Sequence, residues 1–215
     1  MIEHVNALLP RSEVVDHGIR HEVPLYPEPA IRELIPNALI HQDFSVTGSG
    51  PMVESFSDRM EITNSGEPLV KTERFLDSPP RSRNEALASF MRRLGVCEER
   101  GSGVVKVVAE TERHMLPAPL FETVERFTRA VLFTHKTLRQ MDRADKSRAC
   151  YLHACLRYVE RHPMTNSTLR ARLGITEPNK AMASRIISDA VGDGLIKLED
   201  PAQGEKYAKY IPYWA

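Results

Sequence analysis

Between Ile31 and Phe44 the sequence I-R-E-L-I-P-N-A-L-I-H-Q-D-F sorts its apolar and polar positions onto two faces. Ile31, Leu34, Ile35, Ala38 and Leu39 recur at i, i+3, i+4, i+7 and i+8, which at about 100° per residue gathers them into one stripe. This predicts an amphipathic helix, and the rest of the chain must supply the surface that covers it. Glu33 and Asn37 stand off the stripe four residues apart, so a carboxylate and a carboxamide stack on one face, with His41 a turn further on towards the core boundary. Such a pair suits either an ordinary solvated helix face or a small site. In the second case the amide oxygen ligates Mg²⁺ and the carboxylate orients or deprotonates a water. Pro36 removes one helical hydrogen bond at a cost on the order of 3 kcal/mol and predicts a kink just before Asn37.

At 215 residues the chain is long enough for one large domain or two small ones, and a shift in pattern near residue 146 argues for two. Net charge is zero but unevenly spread: residues 146–215 carry 11 Lys or Arg against 7 Asp or Glu. That part is therefore about +4 and the remainder about −4, which permits a nucleic-acid-facing C-terminal domain without demanding one. Cys97, Cys150 and Cys155 lack metal-ligand spacing and do not form a disulfide framework, so a reducing cytoplasm is expected. No apolar run approaches the roughly 18 residues of a membrane span, and the N-terminus lacks the form of a signal peptide.

Ile2, Val5, Leu8 and Leu9 predict a short amphipathic helix stopped by Pro10, and the prolines between Glu22 and Pro29 predict an extended approach to the main helix. Residues 1–28 thus read as a lead-in. Met52–Phe56 and Met60–Asn64, joined across Ser57-Asp58-Arg59, predict a hairpin whose second strand alternates Met60, Ile62 and Asn64 with Glu61 and Thr63. The strand then gives way to Asn64-Ser65-Gly66-Glu67-Pro68, either a plain turn or a place where a base or phosphate meets backbone. Residues 69–83 read as a loop, in which Arg81 and Arg83 either meet phosphate or are solvated. Leu87, Phe90, Met91 and Leu94 restore helical spacing, with Gly95 as the residue just past the helix end. Gly101-Ser102-Gly103 precedes a helix bearing Val104, Val107 and Val108, an arrangement that lets backbone approach an anion but lacks the third Rossmann glycine and the Walker ending. Phe121–Val124 and Phe127–Phe133 read as two further strands, and residues 135–147 as a linker.

From 148 to 215 the pattern changes to short helices. Ala149, Leu152, Leu156 and Val159 mark the first; Ser167–Leu173, capped from Thr165 or Asn166, the second. The third runs from about Glu177 to Val191, burying Met182, Ala183, Ile186, Ile187 and Ala190 and turning Lys180, Ser184, Arg185 and Ser188 outward. Leu195–Leu198 and Lys206–Tyr213 then form a hairpin. This order is that of a winged helix-turn-helix, used either for DNA binding or only for packing and dimerisation. In the first case Lys180, Ser184 and Arg185 face the major groove of double-stranded DNA, while Lys206 and Lys209 meet its backbone. The modest charge of about +4 makes a homodimer, or a neighbouring domain, the expected source of further affinity.

Taken together, E-L-I-P-N-A-L-I-H-Q-D-F, D-R-M-E-I-T-N-S-G, R-S-R-N-E-A-L and E-E-R-G-S-G-V-V-K-V-V resemble a bacterial family of transcriptional regulators often described as ATP-dependent DNA helicase-related. That family carries a divergent ATP-binding domain of the gyrase, histidine-kinase and mismatch-repair type (GHKL). The resemblance spans residues 22 to about 133, and the terminal K-Y-I-P-Y-W-A resembles the same family's end. It implies an α+β fold: a GHKL-like α/β sandwich over residues 29–134 followed by the winged helix over 148–215. It also implies that Glu33 activates water, Asn37 holds Mg²⁺, Asn64 and Gly66 meet adenine, and Gly101, Ser102 and Gly103 meet the phosphates of ATP. Asn64 stands where the family has Asp, Pro68 where it has a second glycine, and Pro36 lies within the first motif. The absence of a Walker motif and of room for paired motor domains argues against helicase activity. In relatives a Schlafen- or AlbA-type domain precedes this region, and residues 1–28 resemble its trailing edge, which implies a fragment or a short variant. Three readings follow: a DNA-binding regulator that senses adenine nucleotide, a Mg²⁺-dependent ATPase with Glu33 as general base, or a non-catalytic protein-interaction scaffold with a degenerate pocket.

Overall fold

The computed structural model describes residues 11–16, 19–97, 103–202, 204 and 208–215. The helix expected over Ile2 to Leu9 lies outside them. The chain divides into two units: one runs to His114 and takes up Pro119–His135, and the other comprises Met115–Ala118 and Lys136–Ala215.

In the first unit β1 (Arg11–Asp16) and β2 (Ile19–Pro24) pair antiparallel, and the start of the extended approach expected over Glu22 to Pro29 is the end of β2. Helix α1 (Glu28–His41) follows, with Pro29 in its first turn, where proline's fixed φ and missing N–H cost nothing, and with Pro36 buried inside it without ending it. Strands β3 (Met52–Ser55), β4 (Arg59–Ser65), β5 (Leu120–Val124) and β6 (Phe127–Phe133) form an antiparallel sheet in the order β3-β4-β6-β5. Met60 and Ile62 of β4 and Leu132 of β6 lie under the α1 stripe, in a core with Tyr26, Ala30, Ile31, Leu34, Ile35, Ala38 and Val107. The stripe drifts along the helix: Leu39 is only half-buried, whereas Ile40 is buried with Ala88 and Met91 of α2 (Glu85–Arg93) in a smaller cluster. Gly95, at φ +67°, lies just past the end of α2 in the left-handed region, as its sequence position predicts. Helix α3 (Gly103–Arg113) packs on α1. The unit is thus α+β, with helices against an antiparallel sheet.

The second unit holds α4 (Arg143–Val159), α5 (Asn166–Leu173), a short 3₁₀ turn (Glu177–Asn179), α6 (Lys180–Gly192) and a two-stranded sheet of β7 (Ile196–Leu198) with β8 (Tyr210–Pro212). The caps are those the sequence encodes. Asp142 accepts from the Asp145 N–H at 2.7 Å, Thr165 and Thr168 form a reciprocal capping box, and Gly174 ends α5 at φ +63°. Helix α6 buries Ala183, Ile186, Ile187 and Ala190. Met182, expected among them, is 44% exposed; at 100° per residue it lies about 90° off the axis of that stripe. The C-terminal aromatic residues anchor on α4, where Trp214 donates to the Tyr151 hydroxyl at 3.0 Å and packs edge-on against Tyr158. Among the described residues no helix is long and apolar enough to cross a membrane.

Candidate functional site

Helix α1 delivers the two polar residues that its stripe excludes. Glu33 is nonetheless buried, at 5% exposure, and Asn37 half-buried, so the face is covered rather than solvated. What covers it includes the start of α3. A Cβ added to Gly103 would lie 2.7 Å from Glu33 Oε2 and 3.5 Å from Asn37 Nδ2, so a side chain there would require the Glu33 carboxylate to shift. The Glu33 carboxylate therefore lies at the helix end where a negative charge is favoured.

Strand β4 supplies Asn64. It is buried, and its Nδ2 donates to the Ser65 carbonyl at 3.0 Å, which fixes the carboxamide and leaves its oxygen as the free accepting end. The strand continues one residue beyond the expected turn, to Ser65, and Gly66 then takes φ +102°. A side chain there would be strained and would press on Asp43 Cβ at 3.0 Å and Arg83 Nε at 3.2 Å. The Gly66 N–H donates to the Arg126 carbonyl, and its own carbonyl accepts from Thr128 Oγ1 at 2.7 Å.

The loop before α2 holds the far end of α1. Asn84 Nδ2 donates to the Ile40 and Gln42 carbonyls at 2.9 and 2.7 Å, and Arg83 donates to the His41 carbonyl at 3.0 Å and the Glu67 carbonyl at 2.6 Å. These side chains satisfy carbonyls that a helix end leaves open. Arg83, for which phosphate contact or solvation was expected, is thereby committed to backbone.

Glu33, Asn37, Asn64 and Gly103 line one cavity of about 200 Å³. Ile62, Phe75, Phe121 and Ala130 give it an apolar wall, in which the Phe75 and Phe121 rings lie 5.6 Å apart. Thr128, Pro68, His41, Arg81 and Arg92 also line it. The His41 imidazole is held below its ordinary pKa, first by burial and then by the Arg83 charge. Gly66 is not on the wall, and its part is to make the turn beyond Asn64. Gly101 and Ser102 lie outside the described residues. Arg92 and the aromatic pair carry no local sequence signal; only the tertiary packing brings them to the site. Among the described residues no three of His, Cys, Asp or Glu gather as a metal-ligand group.

In the second unit Lys180, Ser184 and Arg185 are exposed on α6, where Asn166 of α5 donates to Ser184 Oγ at 3.0 Å. Lys209 is exposed beside β8, 3.9 Å from Glu199; Lys206 lies outside the described residues.

Residues 48–132 match the family profile described as "Putative ATP-dependent DNA helicase recG C-terminal". The chain carries an ATPase-like domain. Asn64, Gly66 and Gly103 fall within the matched residues, and Glu33 and Asn37 precede them. No curated protein matches the sequence. In fold the chain is similar to the DIP2311 protein from Corynebacterium diphtheriae, known from a crystal structure, with a TM-score of 0.56 and 20% identity over 98% of this chain. The chain spans 44% of the length of that structure.

Proposed function

We propose that the ATPase-like domain binds an adenine nucleotide with Mg²⁺, that the second unit is a winged helix-turn-helix holding double-stranded DNA, and that the chain is a nucleotide-responsive transcriptional regulator. The observation that carries the first part is the convergence of Glu33, Asn37, Asn64 and Gly103, from three separate elements, on one cavity. The donor set fits the ligand. The Asn64 carboxamide oxygen is an acceptor for an exocyclic amino group, Phe75 and Phe121 offer an apolar wall to a base, and Gly103 opens the approach to α3. Asn37 would hold Mg²⁺, which typically takes only one or two protein ligands beside phosphate and water. In that arrangement Glu33 is the group that takes a proton if the nucleotide is hydrolysed.

The DNA reading rests on the exposure of Lys180, Ser184 and Arg185 along one side of α6, with Lys209 near the two-stranded sheet. One copy offers few cations, so a homodimer is expected to supply the remaining affinity.

Calorimetric titration with ATP, with and without Mg²⁺, tests the nucleotide reading. Asn37→Ala lowers Mg²⁺-dependent affinity about tenfold, and Glu33→Gln keeps binding while abolishing any turnover. Equal affinity in wild type and Asn37→Ala would remove Asn37 from the site.

A further inference from the structure

The cavity carries more charge than the residues above account for. Among the described residues its lining holds one carboxylate, Glu33, together with His41, Arg81 and Arg92, and neither lysine nor aspartate. A polyphosphate entering beside a buried carboxylate meets like-charge repulsion, which the partly buried setting screens less than bulk water would. Mg²⁺ at Asn37 would offset part of this, and the arginines are the guanidinium cations of the wall among its described lining residues.

Their surroundings separate them from Arg83. Arg83 is committed to the His41 and Glu67 carbonyls. Arg81, two residues earlier, is exposed at the cavity and makes no hydrogen bond or ion pair with a described residue. Arg92 donates to Glu85 Oε1 at 3.2 Å, but the Glu85 side chain is 52% exposed. An ion pair with so exposed a partner is weak, and a bidentate guanidinium–phosphate contact is stronger. Arg92 and Cys97 line the same cavity as Glu33.

We propose that Arg81 and Arg92 are the phosphate-binding cations of this cavity, with Arg92 exchanging Glu85 for phosphate when a ligand enters. This rests on the nucleotide reading, and it makes the site one that counts phosphates, preferring ATP to adenosine by charge rather than by the base. The full chain is titrated calorimetrically, in Mg²⁺, with ATP, adenosine and inorganic tripolyphosphate, for wild type, Arg81→Ala, Arg92→Ala and Arg92→Lys, with melting temperatures to establish folding. Each alanine variant loses about tenfold or more for ATP and in parallel for tripolyphosphate, against about twofold or less for adenosine, and Arg92→Lys regains part of the loss. An ATP-to-adenosine ratio unchanged in either variant removes that arginine from the site. Tripolyphosphate binding that depends on both arginines, in a wild type that binds neither adenosine nor ATP, keeps the phosphate site and discards the adenine reading. A wild type that binds none of the three overturns both.

Discussion

At the residue scale, the candidate site is made of polar groups that folding has buried or half-buried. Glu33 and Asn37 read as an exposed helix face from spacing alone, and no local pattern announces that Gly103 lies against them. The residue type is legible, its environment is not. His41 shows what that environment does to chemistry. Burial and the nearby Arg83 charge lower its pKa, so the folded chain binds its proton less readily than the unfolded chain does. The stability His41 contributes is therefore present above the ordinary imidazole value of about 6.5 and is lost as pH falls through it. Urea unfolding between pH 7.5 and 5.5 should show a shallower loss of stability for His41→Gln than for wild type. Equal slopes would mean that His41 does not titrate differently in the two states.

At the element scale, local periodicity and tertiary caps divide the work. The alternation of Met60, Ile62 and Asn64 and the spacing of Ile31, Leu34, Ile35 and Ala38 predict β4 and α1 as elements, because both record burial in the sequence itself; that the two pack together is a tertiary finding. The β1–β2 hairpin was not foreseen, since R-S-E-V-V-D and I-R-H-E-V-P are too charged to alternate cleanly. Nor was the capping of α1 by Asn84, whose partners lie 42 and 44 residues away in the chain. Asn84→Ala removes two hydrogen bonds to the last carbonyls of α1 and should lower stability by about 1–3 kcal/mol. A change within about 0.5 kcal/mol in a denaturant titration would show that water replaces the carboxamide without loss.

At the scale of the whole molecule, the chain passes between its two units more than once. Met115–Ala118 belongs with the C-terminal unit, where Arg148 Nε donates to the Ala118 carbonyl at 3.0 Å and Arg172 to the Leu116 carbonyl at 2.6 Å. Arg172 is 5% exposed, so truncating it leaves a buried carbonyl without that donor. Arg172→Ala should cost about 2–4 kcal/mol in thermal or denaturant unfolding, and a loss below about 1 kcal/mol would mean that the segment is held by its apolar contacts instead. Asp145 adds a pH term of its own. Burial raises its pKa, but the hydrogen bonds from Lys136 and Arg148 outweigh this and hold it below the usual carboxylate value. Its contribution is thus present above the unfolded carboxylate pKa and lost only in acid.

The proposed nucleotide site of the ATPase-like domain is the cavity lined by Glu33, Asn37, Asn64 and Gly103. A crystal structure of the full chain grown with Mg²⁺ and a non-hydrolysable ATP analogue tests that most directly. The prediction is density in the cavity with the base beside Asn64 and the Phe75–Phe121 wall and the phosphates towards Asn37 and Gly103. Analogue density elsewhere, or none at saturating concentration, would contradict it.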